Sequence, residues 1–133
     1  MTPIANNPVI VLGNTMIDHD HQIFIELLNL LVTAGNAEFP ALFQQLHEHS
    51  ELHFAHEQQL MRQSAFPAEG EHSAEHQRVL GEFKQFKTRI DKGLINFGRA
   101  YVQERLPQWF ALHTATMDSA LVTHLKASGH NQG

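Results

Sequence analysis

The stretch HSELHFAHEQQLM, residues 49–61, places three histidines and two glutamates within nine positions. His53 and Glu57 are four apart, Phe54 follows His53 directly, and apolar residues close the run. On a helix that interval sends both side chains off one face, about one turn apart. Two readings fit this stretch alone: a solvated face rich in histidine, or half of a metal site. The rest of the chain has to separate them.

The chain has 133 residues, enough for one domain with a real core. It has no cysteine, which excludes disulfides, iron–sulfur clusters, zinc ribbons and thiol catalysis. A net charge of −5, with nine Lys plus Arg scattered along the chain, argues against nucleic acid as the main partner. No apolar run approaches the ~20 residues that a membrane span needs. The N-terminus, MTPIANNPVIVLGNTM, lacks the basic region of a secretory signal, so the expected location is cytoplasmic. Histidine is the unusual number, eleven of 133.

Four segments carry helical periodicity, at about 18–34, 40–64, 68–92 and 95–126. The first has Ile17, His21, Phe24, Leu28 and Leu31 on one stripe, with Asp18 as the expected cap and Gly35 as the stop. The second opens at Pro40, a good first-turn residue, and aligns Leu42, Leu46, His49 or Ser50, His53, Glu57 and Leu60. Phe66-Pro67 breaks the chain. The third has Glu69 and Glu71 in its first turn, which suits the positive end of the helix dipole. It carries His72, His76, Val79, Phe83, Phe86 and Ile90, and Gly93 is its C-terminal cap. The fourth turns Phe97, Tyr101, Trp109, His113, Met117, Ala120 and Leu121 inward, and Pro107 predicts a kink or a broken first half. Residues 1–17 read as an extended arm. Short connections between four helices predict an all-α, up-down-up-down four-helix bundle.

On those helices the histidines form a pattern. The four-residue interval of His53 and Glu57 recurs at His72 and His76. The first helix adds His21, and the fourth adds His113 and Asp118. Each of these residues interrupts an apolar stripe. A buried imidazole or carboxylate without a partner costs several kcal/mol, so seven in one small core demand cations. Two divalent metals with bridging carboxylates meet that demand. Imidazole plus carboxylate suits iron, selected by geometry more than by raw affinity.

In this ordered set the chain resembles the hemerythrin family, in particular its small single-domain bacterial members. The resemblance runs from LGNTMIDHDH at 12–21 to HTATMD at 113–118. The family pattern is a lone His, then HxxxE, HxxxH and HxxxxD, and His21, His53, Glu57, His72, His76, His113 and Asp118 fill it. The resemblance implies one iron held by His72, His76 and His113 and another by His21 and His53. Glu57, Asp118 and an oxo or hydroxo group would bridge them. The second iron keeps an open position, where O2 would bind in the diferrous state. His113 and Asp118, however, are five apart, roughly 140° around an ideal helix. A local π-type widening, or a side chain reaching around tangentially, would bring them together.

The resemblance also implies a dry pocket walled by Phe24, Phe54, Trp109 and Phe110, each of which could equally be ordinary core. Two positions depart from the family. Thr114 stands where an aliphatic residue is usual, and its hydroxyl could bond a ligand or admit water. His56 stands where an acid is common; it is expected to face solvent, with contact to His53's surroundings as the alternative. His19, His47, His49, His124 and His130 fit no ligand spacing and are expected on the surface.

The resemblance implies reversible O2 binding for storage, delivery or sensing. The alternative is a diiron enzyme on the same centre, with peroxidase, oxidase or nitric-oxide-handling activity. A ferritin-like centre would need two ExxH pairs, and only Glu69…His72 has that spacing. The implied partners are O2 or another small diatomic ligand and an unknown reductase or O2-accepting protein, with no nucleic acid and no membrane insertion.

Overall fold

The computed structural model describes residues 11–131 and shows an all-α four-helix bundle. Helix α1 spans Thr15–Thr33, α2 Phe39–Gln63 and α3 Glu69–Asp91. The fourth rod is composite: α4 Ile95–Ala100, a π turn at Tyr101–Arg105, α5 Leu106–His113, a second π turn at Thr114–Asp118, and α6 Ser119–Ala127. Neighbours in sequence pack on one another, and the first π turn packs back against α1. Among the described residues no helix is long and apolar enough to cross a membrane.

The start of α1 differs from expectation. Asn14, not Asp18, is the cap, its side chain accepting the Ile17 N–H at 3.0 Å. Asp18 lies inside the first turn, and its carboxylate accepts the N–H groups of Leu12 and Gly13 at 2.9 and 3.0 Å. It therefore pins the incoming chain. Most of the expected extended arm, residues 1–10, lies outside the described residues, and by Thr15 the chain is already helical.

The other termini follow from local chemistry. Pro40 sits in the first turn of α2, where a missing N–H costs nothing. After α2, Ala65 adopts φ +53, and Phe66 donates its N–H back to Met61 at 2.9 Å. At the end of α3, Gly93 takes φ +88 while Leu94 donates to Arg89 at 2.9 Å, a left-handed cap that glycine accepts without strain.

The fourth rod resolves the Pro107 problem without a break. Proline within a helix removes a hydrogen bond and clashes with the preceding turn. Here the π turn ends just before it, with the Leu106 N–H bonded to the Tyr101 carbonyl five residues back. Tyr101 donates its hydroxyl to Glu82 at 3.1 Å, and Arg105 donates to the same carboxylate, so the widened turn is tied to α3. Glu82 also accepts from Arg78, and its carboxyl is held below the usual range: burial pushes it up, but the bonds from Arg105 and Tyr101 outweigh that.

The core has two parts. The larger joins Phe24, Leu28, Leu31, Phe39, Phe43, Leu46, Val79, Phe83, Tyr101, Leu106 and their neighbours at one end of the bundle. A smaller one, Ile17, Met61, Leu121, Val122 and Leu125, closes the other. Gly98 is buried where the fourth rod approaches Ile90 and Phe39. Two expected inward residues of that rod lie outside: Ala120 is exposed, and Phe97 is 52% exposed with the Arg89 guanidinium 5.3 Å over its ring.

Candidate metal centre

Between the two apolar parts, His21, His53, Glu57, His72, His76, His113 and Asp118 are all buried, none more than 5% exposed. α1 supplies His21, α2 supplies His53 and Glu57, α3 supplies His72 and His76, and the fourth rod supplies His113 and Asp118. The regular helices present their pairs through the four-residue interval. His113 and Asp118 come together because the Thr114–Asp118 π turn inserts an extra residue, and the Ser119 N–H bonds to the Thr114 carbonyl five residues back. The widening rotates Asp118 onto the histidine's side.

The two carboxylates divide their oxygens. Glu57 Oε1 lies 2.8 Å from His72 Nε2 and 3.5 Å from His76 Nε2. Asp118 Oδ1 lies 3.2 Å from His72 Nε2 and 3.1 Å from His113 Nε2. The opposite oxygens face the other histidines: Glu57 Oε2 is 2.7 Å from His53 Nε2, and Asp118 Oδ2 is 2.9 Å from His21 Nε2. Two overlapping sets result, each with ligand atoms close enough to share one ion: Glu57, His72, His76, His113 and Asp118, and His21, His53, Glu57 and Asp118.

Several of these atoms are buried and lack a hydrogen-bond partner: both nitrogens of His21, Glu57 Oε2, both Asp118 oxygens, His113 Nδ1 and Thr114 Oγ1. Such atoms cost free energy unless something satisfies them. His21 Nε2 and Asp118 Oδ2 are close, yet their geometry makes no hydrogen bond. Apart from the His72–Glu57 and His76–His113 contacts, the converging Nε2 atoms and carboxylate oxygens leave much of their bonding capacity unused, and a donor set of this kind suits a cation.

Protonation points the same way. Burial and the Asp118 charge push Glu57 up, but His53 and His72 bring its carboxyl below the usual range. Burial also opposes ionisation of Asp118, and His113, His21 and His72 overcome it, holding it well below that range. Burial pulls the His53 imidazole down, but the facing Glu57 carboxylate and the bond to Asp20 raise it to about 10. For His72, burial again lowers, while the nearby Asp118 carboxylate and the bond to Glu57 raise it to about 9. His76 goes the other way, to about 3, because burial dominates and His72 and His113 add like charge. Both carboxylates thus favour the anionic form, and the His53 and His72 imidazoles facing them are drawn towards protons that a metal would displace.

Aromatic rings surround this cluster. Phe24 stacks on Phe110 at 4.3 Å, and Phe110 meets the His21 ring edge-on at 5.2 Å. Phe54 stacks on His76 at 3.8 Å, and Trp109 on His113 at 4.5 Å. The Trp109 N–H donates to Glu75 at 2.9 Å. The Arg78 bond, with help from Trp109, holds the Glu75 carboxyl down at about 2.

One residue at the centre escapes sequence reasoning: Asp20, 5% exposed on α1. Its Oδ2 accepts from His53 Nδ1 and His56 Nδ1, each at 2.9 Å, and its backbone carbonyl accepts from His49 Nε2 at 2.8 Å. Burial raises the Asp20 carboxyl, but the two imidazoles bring it to about 2. The available signal was an acid beside His21 facing a helix with histidines at 49, 53 and 56. His56 is therefore half-buried, in contact with His53's surroundings, and His49 is half-buried too. Two further histidines expected on the surface are not there. His47 is buried against Phe83, and His124 is half-buried, bonded to the Ser64 carbonyl at 2.8 Å. His19 and His130 are exposed.

Residues 12–125 match the model of the hemerythrin HHE cation-binding domain. The chain is 36% identical over 118 residues to a bacteriohemerythrin of Ralstonia nicotianae (strain ATCC BAA-1114 / GMI1000), covering 89% of this chain and 85% of that one. It is 31% identical over 128 residues to a bacteriohemerythrin of Aquifex aeolicus (strain VF5), covering 92% and 97%. No solved structure gives a significant match.

Proposed function

Because the chain belongs to the hemerythrin HHE cation-binding family, we propose that it is a non-heme diiron protein that binds O2 reversibly, for storage, delivery or sensing. One observation carries the reading: each of Glu57 and Asp118 turns one oxygen to the three-histidine set and the other to the two-histidine set. A carboxylate so divided is suited to bridging two ions. His72, His76 and His113 would hold one iron, and His21 and His53 the other. When bound, the iron pair supplies electrons and an open coordination position for a diatomic ligand.

The chain's own residues set the conditions. Three histidines against two leave the His21–His53 side with the lower ligand count. Phe24 and Phe110, both buried and stacked, cover that side and exclude water. Phe54 and Trp109 fix the rings of His76 and His113 from behind. The location is taken as the cytoplasm, with a reductase or an O2-accepting protein as partner.

The test is anaerobic reduction of the iron-loaded protein, then addition of O2, followed by absorption. A band that forms with O2 and bleaches repeatedly under vacuum is the expected result. Immediate, irreversible oxidation would refute carriage. It would favour the enzymatic reading, a peroxidase, oxidase or nitric-oxide-handling activity, which one observation supports: the Thr114 hydroxyl, next in sequence to His113, is buried with no hydrogen-bond partner among the described residues.

A further inference from the structure

The two histidine sets are supported unequally. His53 Nδ1 has a carboxylate partner, Asp20, whereas among the described residues His21 Nδ1 and His113 Nδ1 have none. On the other set, Phe54 and Trp109 back His76 and His113 with ring faces, and His113 Nδ1 has no hydrogen bond. A ring face restrains orientation but neither selects a tautomer nor adds charge. A carboxylate does both.

We propose that Asp20 is a positioning residue dedicated to the ion on the His21–His53 side, and that it offsets the missing third histidine there. This rests on the two-ion reading above. By accepting a hydrogen bond from His53 Nδ1–H, Asp20 favours the tautomer whose Nε2 can ligate an ion, and that atom already faces the centre, 2.7 Å from Glu57 Oε2. Its negative charge makes that imidazole a stronger donor. His56 Nδ1 and His49 Nε2 hold Asp20 in place, one at the same carboxylate oxygen and one at its backbone carbonyl. Two histidines that are not ligands thus take part in positioning one that is. The departure at His56 acquires a role, since an acid in its place would repel Asp20.

The test compares wild type, Asp20→Asn and Asp20→Glu as iron-loaded proteins. Iron per chain is counted during graded chelation, and the redox potentials of the centre are recorded. Two irons in the wild type support the underlying reading, and a different count refutes that reading irrespective of Asp20. Given two, Asp20→Asn is expected to release one iron at about 10- to 100-fold lower chelator concentration while keeping the other at the wild-type level. Its two potentials should move apart. Asp20→Glu, which keeps the charge, should retain the second iron better than Asp20→Asn. Equal weakening of both irons would overturn the proposal, because it would mark Asp20 as a support of the bundle alone. Unchanged chelation and potentials in Asp20→Asn would overturn it as well, as would equal behaviour of the Asn and Glu variants.

Discussion

The indole of Trp109 lies nearly parallel to the imidazole of His113, with ring centroids 4.5 Å apart and planes 18° from one another. Its N–H is anchored to Glu75, which Arg78 holds in turn. The half-buried ring thus covers a candidate ligand and is itself fixed from α3.

Trp109→Phe keeps a stacking face, though a smaller one, and removes the hydrogen bond to Glu75, so it should cost about 1 kcal/mol in denaturant unfolding. Trp109→Ala removes the cover as well. It should cost more, roughly 2–3 kcal/mol, and weaken metal retention about tenfold in competition with a chelator. Equal metal retention in the two variants would refute the covering role.

Glu57→Gln probes the divided carboxylate. The amide keeps one acceptor oxygen but places an NH2 group towards the opposite histidine set, and NH2 does not ligate a cation. Iron per chain should fall from two to one or fewer, measured by metal analysis on folded protein. Retention of two would show that Glu57 does not bridge.

Metal removal should destabilise the fold. Ligands that bind only the folded state stabilise it by mass action, about 4 kcal/mol at a thousandfold excess over Kd. The metal-free chain also leaves His21, Glu57 Oε2 and Asp118 without hydrogen-bond partners in the core. Thermal melts before and after chelation should therefore separate clearly, and coincident melts would contradict a metal-bearing core.

His47 predicts an acid-sensitive fold. Burial against Phe83, opposed weakly by Glu51 and Glu48 and aided by Lys84 and Lys87, lowers its imidazole below the usual 6.5, and neither ring nitrogen has a hydrogen-bond partner. The unfolded chain then binds the proton more readily. His47 adds no penalty above 6.5, and stability falls as pH drops below it. His47→Phe should flatten that fall between neutral pH and pH 5, as followed by urea midpoints. An unchanged profile would assign the acid sensitivity elsewhere.

Gly98 marks a close approach of the fourth rod to α2 and α3. A Cβ there would meet Ile90 Cδ1 at 2.6 Å and Phe39 Cε1 at 2.9 Å. Gly98→Ala should therefore lose stability, by about 1–3 kcal/mol, although alanine normally favours helices. A stabilised variant would mean that the contact relaxes freely.

Much was legible because period and interval are local properties. The stripe of Ile17, His21, Phe24, Leu28 and Leu31 is buried throughout, and so are both members of each four-residue pair. Gly93 and Pro40 act where their backbone preferences put them. Residues whose surroundings come from another helix were not legible. Asp20 belongs to no apolar stripe or ligand interval and is nonetheless buried against three histidines of α2, while Phe97 sits on an apolar stripe and is half exposed under Arg89.

By itself, the sequence determined four amphipathic helices, their order, and six candidate ligands on inward stripes with a seventh, Asp118, one position out of phase, because hydrophobic period and backbone sterics act within a few residues. The tertiary structure decided the rest. It placed a π turn between His113 and Asp118, divided the oxygens of Glu57 and Asp118 between two histidine sets, and brought Asp20 to His53. A shift of one residue within a helix, or of an ångström between helices, rearranges such contacts without altering the pattern that specifies the bundle. They depend on how four surfaces meet, and no single segment encodes that meeting.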